Sequence, residues 1–140
     1  MEYVDIIIEG MGKEHINLLV KNVMGIDHSK VIRSHFYTDE YGDFEYNDEI
    51  DLNEYFSENR TCNVFLSSLK MDRTYKNVLI IITSDMNDIN ITVNIEYEQF
   101  RISVKEEFIK YLKRLFHTFS MKGISVINSY DNEPFIIIGS

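Results

Sequence analysis

Residues 89–97 read Ile-Asn-Ile-Thr-Val-Asn-Ile-Glu-Tyr, and no other stretch limits the possible folds so tightly. Apolar Ile89, Ile91, Val93, Ile95 and Tyr97 alternate with Asn90, Thr92, Asn94 and Glu96. Successive side chains of a strand point to opposite faces, so this period of two describes a strand with one face on a core and the other in water. Strands of purely parallel sheets are covered on both faces and read as continuous apolar runs, so the pattern selects an antiparallel sheet. Ser84–Asp88 supplies turn residues that fold this strand back on Val78–Thr83, making a hairpin.

The remaining segments build on that hairpin. Val4–Glu9, Thr61–Met71, Ile124–Tyr130 and Phe135–Ile138 read as further strands. Val4–Glu9, Val78–Thr83 and Phe135–Ile138 look apolar on both faces, which predicts either a sheet that curls on itself or a face that meets a partner. Lys30–Thr38 alternates Ile32 and Phe36 against Arg33 and His35, and Tyr41-Gly42-Asp43 turns it back into Phe44–Asn47. Two long helices are predicted. In Lys13–Met24 the apolar stripe is Ile16, Leu19, Val20, Val23 and Met24, with Gly25 as the stop. In Val104–Met121 the stripe is Phe108, Leu112, Leu115, Phe116 and Phe119, opened by a Ser103/Glu106 capping box and closed by Gly123. A short helix over Asp51–Ser57 is capped by Asp51. The fold class is therefore α+β: a largely antiparallel (mixed) sheet of about six to eight strands with two long helices, in the order β-α-β-β-(α)-β-β-β-α-β-β. A length of 140 residues suits one domain, 1–140.

Charge is distributed unevenly. Nine acids fall between Asp39 and Glu58 (Asp39, Glu40, Asp43, Glu45, Asp48, Glu49, Asp51, Glu54 and Glu58), and no Lys or Arg lies among them. The other 14 acids balance the 14 Lys and Arg of the whole chain, so this one segment carries the entire net charge of −9. Tyr41, Phe44, Tyr46, Tyr55 and Phe56 run through it. The plainer reading of such a run is a solvated edge hairpin kept soluble by its charge. Clustered carboxylates cost self-repulsion, however, and interleaved tyrosines offer contact area at low entropic cost. Together they describe a surface for a basic protein, with Tyr41, Asp43, Glu45, Tyr46, Asp48, Glu49, Asp51, Glu54 and Tyr55 as the partner-binding residues. Nucleic acid, whose phosphates this surface repels, is not an expected ligand.

Other chemistry is not supported. Asp43, Glu45, Asn47, Glu49, Asp51 and Glu54 have the spacing of a calcium loop, but Asp48 stands where the turn needs glycine. Gly10-Met11-Gly12-Lys13 lies between a strand and a helix without the rest of a phosphate-binding fingerprint, and its glycines are read as turning the chain. His15, His28, His35 and His117 show no paired metal spacing. Cys62, the one cysteine, reads as a buried or idle thiol and fits a reducing compartment. No nucleophile elbow or other catalytic motif appears, so no enzyme activity, metal or cofactor is expected. The first residues show no secretory pattern, and the longest apolar runs are too short to span a bilayer, so no membrane partner is expected and the cytoplasm is the expected location.

In size, acidity, α+β build, absent catalytic groups and an A/T-rich coding bias (twenty isoleucines, no alanine), the chain resembles the small acidic immunity proteins of bacterial polymorphic-toxin and contact-dependent inhibition systems. The resemblance implies a cytoplasmic inhibitor that binds one cognate toxin domain, often a basic nuclease. Two alternatives stand beside it. A DNA-mimic inhibitor would use the same acids, and a homo-oligomeric structural or regulatory domain, such as a homodimer, would bury the doubly apolar strands.

Overall fold

A computed structural model describes residues 2–39, 42–128 and 133–139, with the side chains of residues 38, 39, 42 and 43 also outside the description. Nine strands and three α-helices are seen: β1 (Tyr3–Gly12), β2 (Val31–His35), β3 (Tyr37–Asp39), β4 (Gly42–Phe44), α1 (Leu52–Tyr55), β5 (Thr61–Lys70), β6 (Thr74–Ser84), β7 (Asp88–Glu96), α2 (Tyr97–Phe100), α3 (Lys105–Thr118), β8 (Gly123–Asn128) and β9 (Pro134–Gly139). Seven of the strands form one sheet in the order β2-β5-β6-β7-β1-β8-β9, and β3 and β4 pair separately. Every ladder is antiparallel.

The alternation at residues 89–97 maps directly onto β7, where Ile89, Ile91, Val93 and Ile95 are fully buried. Tyr97 instead opens α2. The doubly apolar reading is corrected. In β1 burial alternates, with Val4, Ile6 and Ile8 in the core and Ile7 half-buried. In β6, Val78, Ile80 and Ile82 are core while Leu79 and Ile81 are half-buried. In β9, Ile136 and Ile138 are core while Ile137 is 68% exposed. Among the described residues no helix or strand forms a layer on the second face of the sheet. Lateral neighbours shield the outer isoleucines: Ile7 lies between Thr92 and Ser125 in register.

The helices gather on the core face, and only one of the two predicted long ones is regular. Over Lys13–Met24 the chain forms a 3-10 turn (Lys13–His15) and then a π-helix (Leu18–Val23). Ile16, Leu19, Val20 and Met24 are buried as expected, but Val23 is 40% exposed. The wider winding explains the difference: Met24 N–H donates to Leu19 O at 2.8 Å, five residues back, so Met24 takes the place on the core face that α-winding would also give to Val23. In α3, Phe108, Leu112, Leu115 and the following Phe119 are buried, while Phe116 is partly so. Its capping box does not form. Ser103 Oγ donates to Phe100 O at 2.6 Å, closing α2, and Val104 is the N-cap without a side-chain bond. Ser120, at φ 49°, and not Gly123, holds the left-handed position beyond the helix.

Gly10 does not end β1. It sits in a bulge at φ +70°, its N–H donating to Asn90 Oδ1 at 3.0 Å, and the strand resumes to Gly12. Lys122 lies across it so closely that a Cβ there would fall 2.4 Å from the Lys122 Cδ. The Gly-x-Gly pair is thus a bulge in a ladder rather than a phosphate cradle.

Candidate functional site: an acidic strap over buried rings

After β4 the chain leaves the sheet and runs back along the irregular helix as a strap, fixed by a series of hydrogen bonds. Tyr46 N–H donates to Ser34 Oγ at 2.8 Å and its hydroxyl donates to Ile26 O at 3.0 Å. Asp48 accepts from the His28 N–H at 2.9 Å and also bonds the His28 ring. The Lys21 ammonium donates to the Asp48 carbonyl at 3.3 Å and to the Ile50 carbonyl. Asn17 accepts from Leu52 N–H and donates to Asp51, both at 2.9 Å. Asn53 reaches Glu14 O at 3.4 Å. As the strap ascends from residue 46 to 53, its partners descend from residue 34 to 14, so the two segments lie antiparallel.

Asp51 caps α1 as its position predicts, accepting from Asn53 N–H at 3.0 Å and Glu54 N–H at 3.3 Å. The Asn17 amide, then these N–H groups, hold its carboxyl below the ordinary value. That role also answers the calcium spacing: Asp51 faces its own helix, and Asn47 Oδ1 accepts from Glu49 N–H at 3.0 Å. Among the described residues no group of three His, Cys, Asp or Glu is placed to hold a metal ion.

The rings lie beneath the carboxylates. Tyr55 is 5% exposed, and its hydroxyl donates to Phe36 O at 2.8 Å and Thr61 O at 3.0 Å. It packs edge-on to Phe36 and Phe56, with centroids 5.0 and 4.8 Å away. Tyr37 stacks on Phe44 at 4.8 Å, and the Arg60 guanidinium lies 5.0 Å from the Tyr55 centroid. Burial pushes the hydroxyls of Tyr46 and Tyr55 up to about 12, so both are donors at neutral pH. Of the residues expected to meet a partner, Tyr55 is core in the free chain, and Tyr46 is half-buried with its hydroxyl already used. Tyr41 and the side chain of Asp43 lie outside the described residues.

The carboxylates remain on the surface. Glu45, Asp48, Glu49, Asp51 and Glu54 are exposed. Asp48 pairs with His28, and Glu58 pairs with Arg60 at 2.8 Å. Asp48 is the largest influence holding the His28 pKa above its ordinary value. Among the described residues Glu45, Glu49 and Glu54 have no ion pair. Lys21, a nearby cation, is committed to backbone carbonyls. Fixed in place and only partly compensated, the strap can attract and orient a basic surface without first paying to order itself.

A second concave feature was not anticipated. On the uncovered sheet face, a groove of about 430 Å³ is lined by Tyr3, Arg33, Phe65, Asn77, Leu79, Asn94 and Glu96. The Arg33 guanidinium lies over the Phe65 ring, 4.3 Å from its centroid. Of the wet face of β7 read from the sequence, Asn94 and Glu96 line this groove.

Comparison with known proteins supplies the class. A family model described as PABL017 Cdi1I immunity protein matches residues 2–129. A chain of the 1.75 Å crystal structure of the toxic C-terminal tip of CdiA from Pseudomonas aeruginosa in complex with immune protein superposes with a TM-score of 0.69 at 13% identity, over 98% of this chain and 95% of that one. At that identity the likeness is one of fold. No curated protein matches this chain.

Proposed function

This chain belongs to the PABL017 Cdi1I immunity protein family, and from that premise we propose that it binds and neutralises the toxic tip of a cognate CdiA-type toxin. It acts as one domain and as a stoichiometric inhibitor rather than a catalyst, in the cytoplasm, where an incoming toxin would act. The toxin presents a basic surface, such as that of a nuclease cleft, and the acidic strap covers it. The observation that carries the choice of surface is the strap itself: Glu45, Glu49 and Glu54 are held on a hydrogen-bonded segment with no ion pair among the described residues. Asp48 and Asp51 extend the same negative potential, Tyr46 borders it, and Tyr55 supports it from below; Tyr41 and Asp43, outside the described side chains, join the proposed surface on their place in the sequence alone.

The test is charge reversal. A Glu45→Lys/Glu49→Lys/Glu54→Lys variant is mixed with the toxin tip, and on-rate and Kd are followed against salt. The on-rate is expected to fall at least about tenfold at low salt, and its salt dependence to shrink. An unchanged on-rate and affinity in a folded variant would exclude the strap as the docking surface.

The groove on the open sheet face favours a second reading, in which the toxin seats a loop over Phe65 and Leu79. Its Tyr, Phe and Arg are the residue types that dominate interface energetics. In that case Phe65→Ala would cost about 2 kcal/mol or more of binding, while the strap variant bound normally.

A further inference from the structure

The sheet has two edges, and among the described residues only one carries protecting features. β2, at one end, carries Arg33 and His35, both exposed, and a register shift between Val31 and Arg33. Charge and a bulge are the usual means by which a protein keeps an edge strand from pairing with another chain. β9, at the other end, reads Pro-Phe-Ile-Ile-Ile-Gly and holds no charged residue. Its irregularity and its proline sit at the start, so Ile136–Gly139 runs in plain register against β8. Phe135 is 45% and Ile137 68% exposed beside that edge. No backbone bond outside the β8 ladder reaches β9 among the described residues.

We propose that the free edge of β9 is an interface for a second copy of this chain, the two β9 strands pairing antiparallel about a two-fold axis to make one continuous sheet across the dimer. Three observations select this occupant. The first is self-complementarity. An axis at Ile137 sets Ile137 against Ile137 of the copy and Ile136 against Ile138, so each side meets a branched apolar residue of its own kind. Such isologous pairing is the commonest form of protein association. The second is the lack of charge. This edge has nothing with which to steer a differently charged partner, whereas a copy brings a strand of the same length and the same neutrality.

The third is the placement of the net charge of −9, which should otherwise drive copies apart. The acidic segment starts beside β2, six strand intervals from β9, and its far end meets Glu14, just past β1, two intervals from β9. At about 4.8 Å per interval, the two β1 strands of the dimer stand roughly 24 Å apart and the two β2 strands roughly 60 Å apart along the sheet, in each case more than the ~8 Å Debye length of physiological salt. The repulsion is thus screened, and both straps stay free. The assembly predicted with toxin is two of each.

Sedimentation velocity and light scattering on the pure protein, from nanomolar to high micromolar concentration, test this. The expected result is a reversible rise from monomer to dimer mass. Ile137→Lys, which places a charge opposite its own copy, should keep the protein monomeric at every concentration with an unchanged circular dichroism spectrum. Ile32→Lys, at an exposed position on the β2 edge, should leave the dimer intact. A wild-type protein that stays monomeric throughout overturns the proposal. So does a dimer that survives Ile137→Lys or is lost in Ile32→Lys. If Ile137→Lys is misfolded, Ile137→Thr decides in the same way: weakened dimerisation sustains the interface, and an unchanged association constant removes it. These outcomes are read without toxin and do not depend on which surface neutralises it.

Discussion

Replacing Tyr55 by Phe separates a ring that supports the strap from a ring that touches a partner. The substitution leaves the aromatic packing against Phe36 and Phe56 in place and removes one hydroxyl. That hydroxyl has a single proton shared between Phe36 O at 2.8 Å and Thr61 O at 3.0 Å, so one bond's worth of stabilisation is lost. A typical net hydrogen bond contributes about 1 kcal/mol, and a buried carbonyl left without its donor adds to the cost, giving roughly 1.5–2 kcal/mol. For 140 residues at about 2.1 cal/mol/K each, the unfolding entropy is near 0.3 kcal/mol/K, so Tm should fall by about 5–7 °C. Urea unfolding should show the same loss with an unchanged slope, since the same surface is exposed. Toxin affinity, measured at a temperature where the variant is fully folded, should stay within about twofold of the parent, because a side chain 5% exposed offers a partner almost no area. A large loss of affinity with unchanged stability would mean that Tyr55 faces the toxin and that the division between rings and carboxylates is wrong.

Two further outcomes follow from named contacts. His28 is bonded by the Asp48 carboxylate, which raises its pKa above the ordinary 6.5. Its stabilising contribution is therefore complete below that value and is lost as pH rises through the folded-state pKa. An NMR titration should place the His28 midpoint above 6.5, and Asp48→Asn should bring it back; a midpoint at or below 6.5 in the parent would break the link between helix and strap. Gly10→Ala should destabilise by about 1–3 kcal/mol in urea, since φ +70° is costly for alanine and its Cβ would fall 2.4 Å from the Lys122 Cδ. A stabilised Ala variant would remove the bulge from the account of β1.

What the sequence revealed depends on whether a residue's environment is set by its neighbours in the chain. Ile89 to Ile95 form a hairpin strand whose faces follow from local alternation, and they lie as read. Asp51 needs only the next three residues to act as a cap, and it does so. Cys62 was legible as a buried thiol, and burial pushes its pKa up to about 12. Ile7, Leu79 and Ile81 were misread because an apolar residue on a strand suggests a layer above it. In a sheet this wide, side chains on adjacent strands half-cover each other, and no second layer is required. The π-winding at Leu18–Val23 shifts Met24 and Val23 by a fraction of a turn, which a stripe of apolar residues compatible with either winding does not reveal. Ser103 and Glu106 matched a capping box, but α2 ends three residues earlier and takes the serine first. The absence of periodicity between residues 41 and 60 left rings and acids undifferentiated, and only packing separates them.

That separation bears on how a cluster of like charges can be tolerated and still be useful. Carboxylates neutralised by the protein's own lysines would hold the strap down but leave little potential at its surface. Here much of the holding is done without neutralising carboxylates: the Tyr46 hydroxyl bonds Ile26 O, the Asn17 amide bonds Asp51 and Leu52, and the Lys21 ammonium is taken up by backbone carbonyls. The rings below add apolar burial, and repulsion between acids in high-dielectric surroundings is weak, about 1 kcal/mol for a unit pair at ~4 Å. The carboxylates are therefore retained at small cost and remain largely unspent. Their attraction for any positive group becomes strong only when that group excludes water from above.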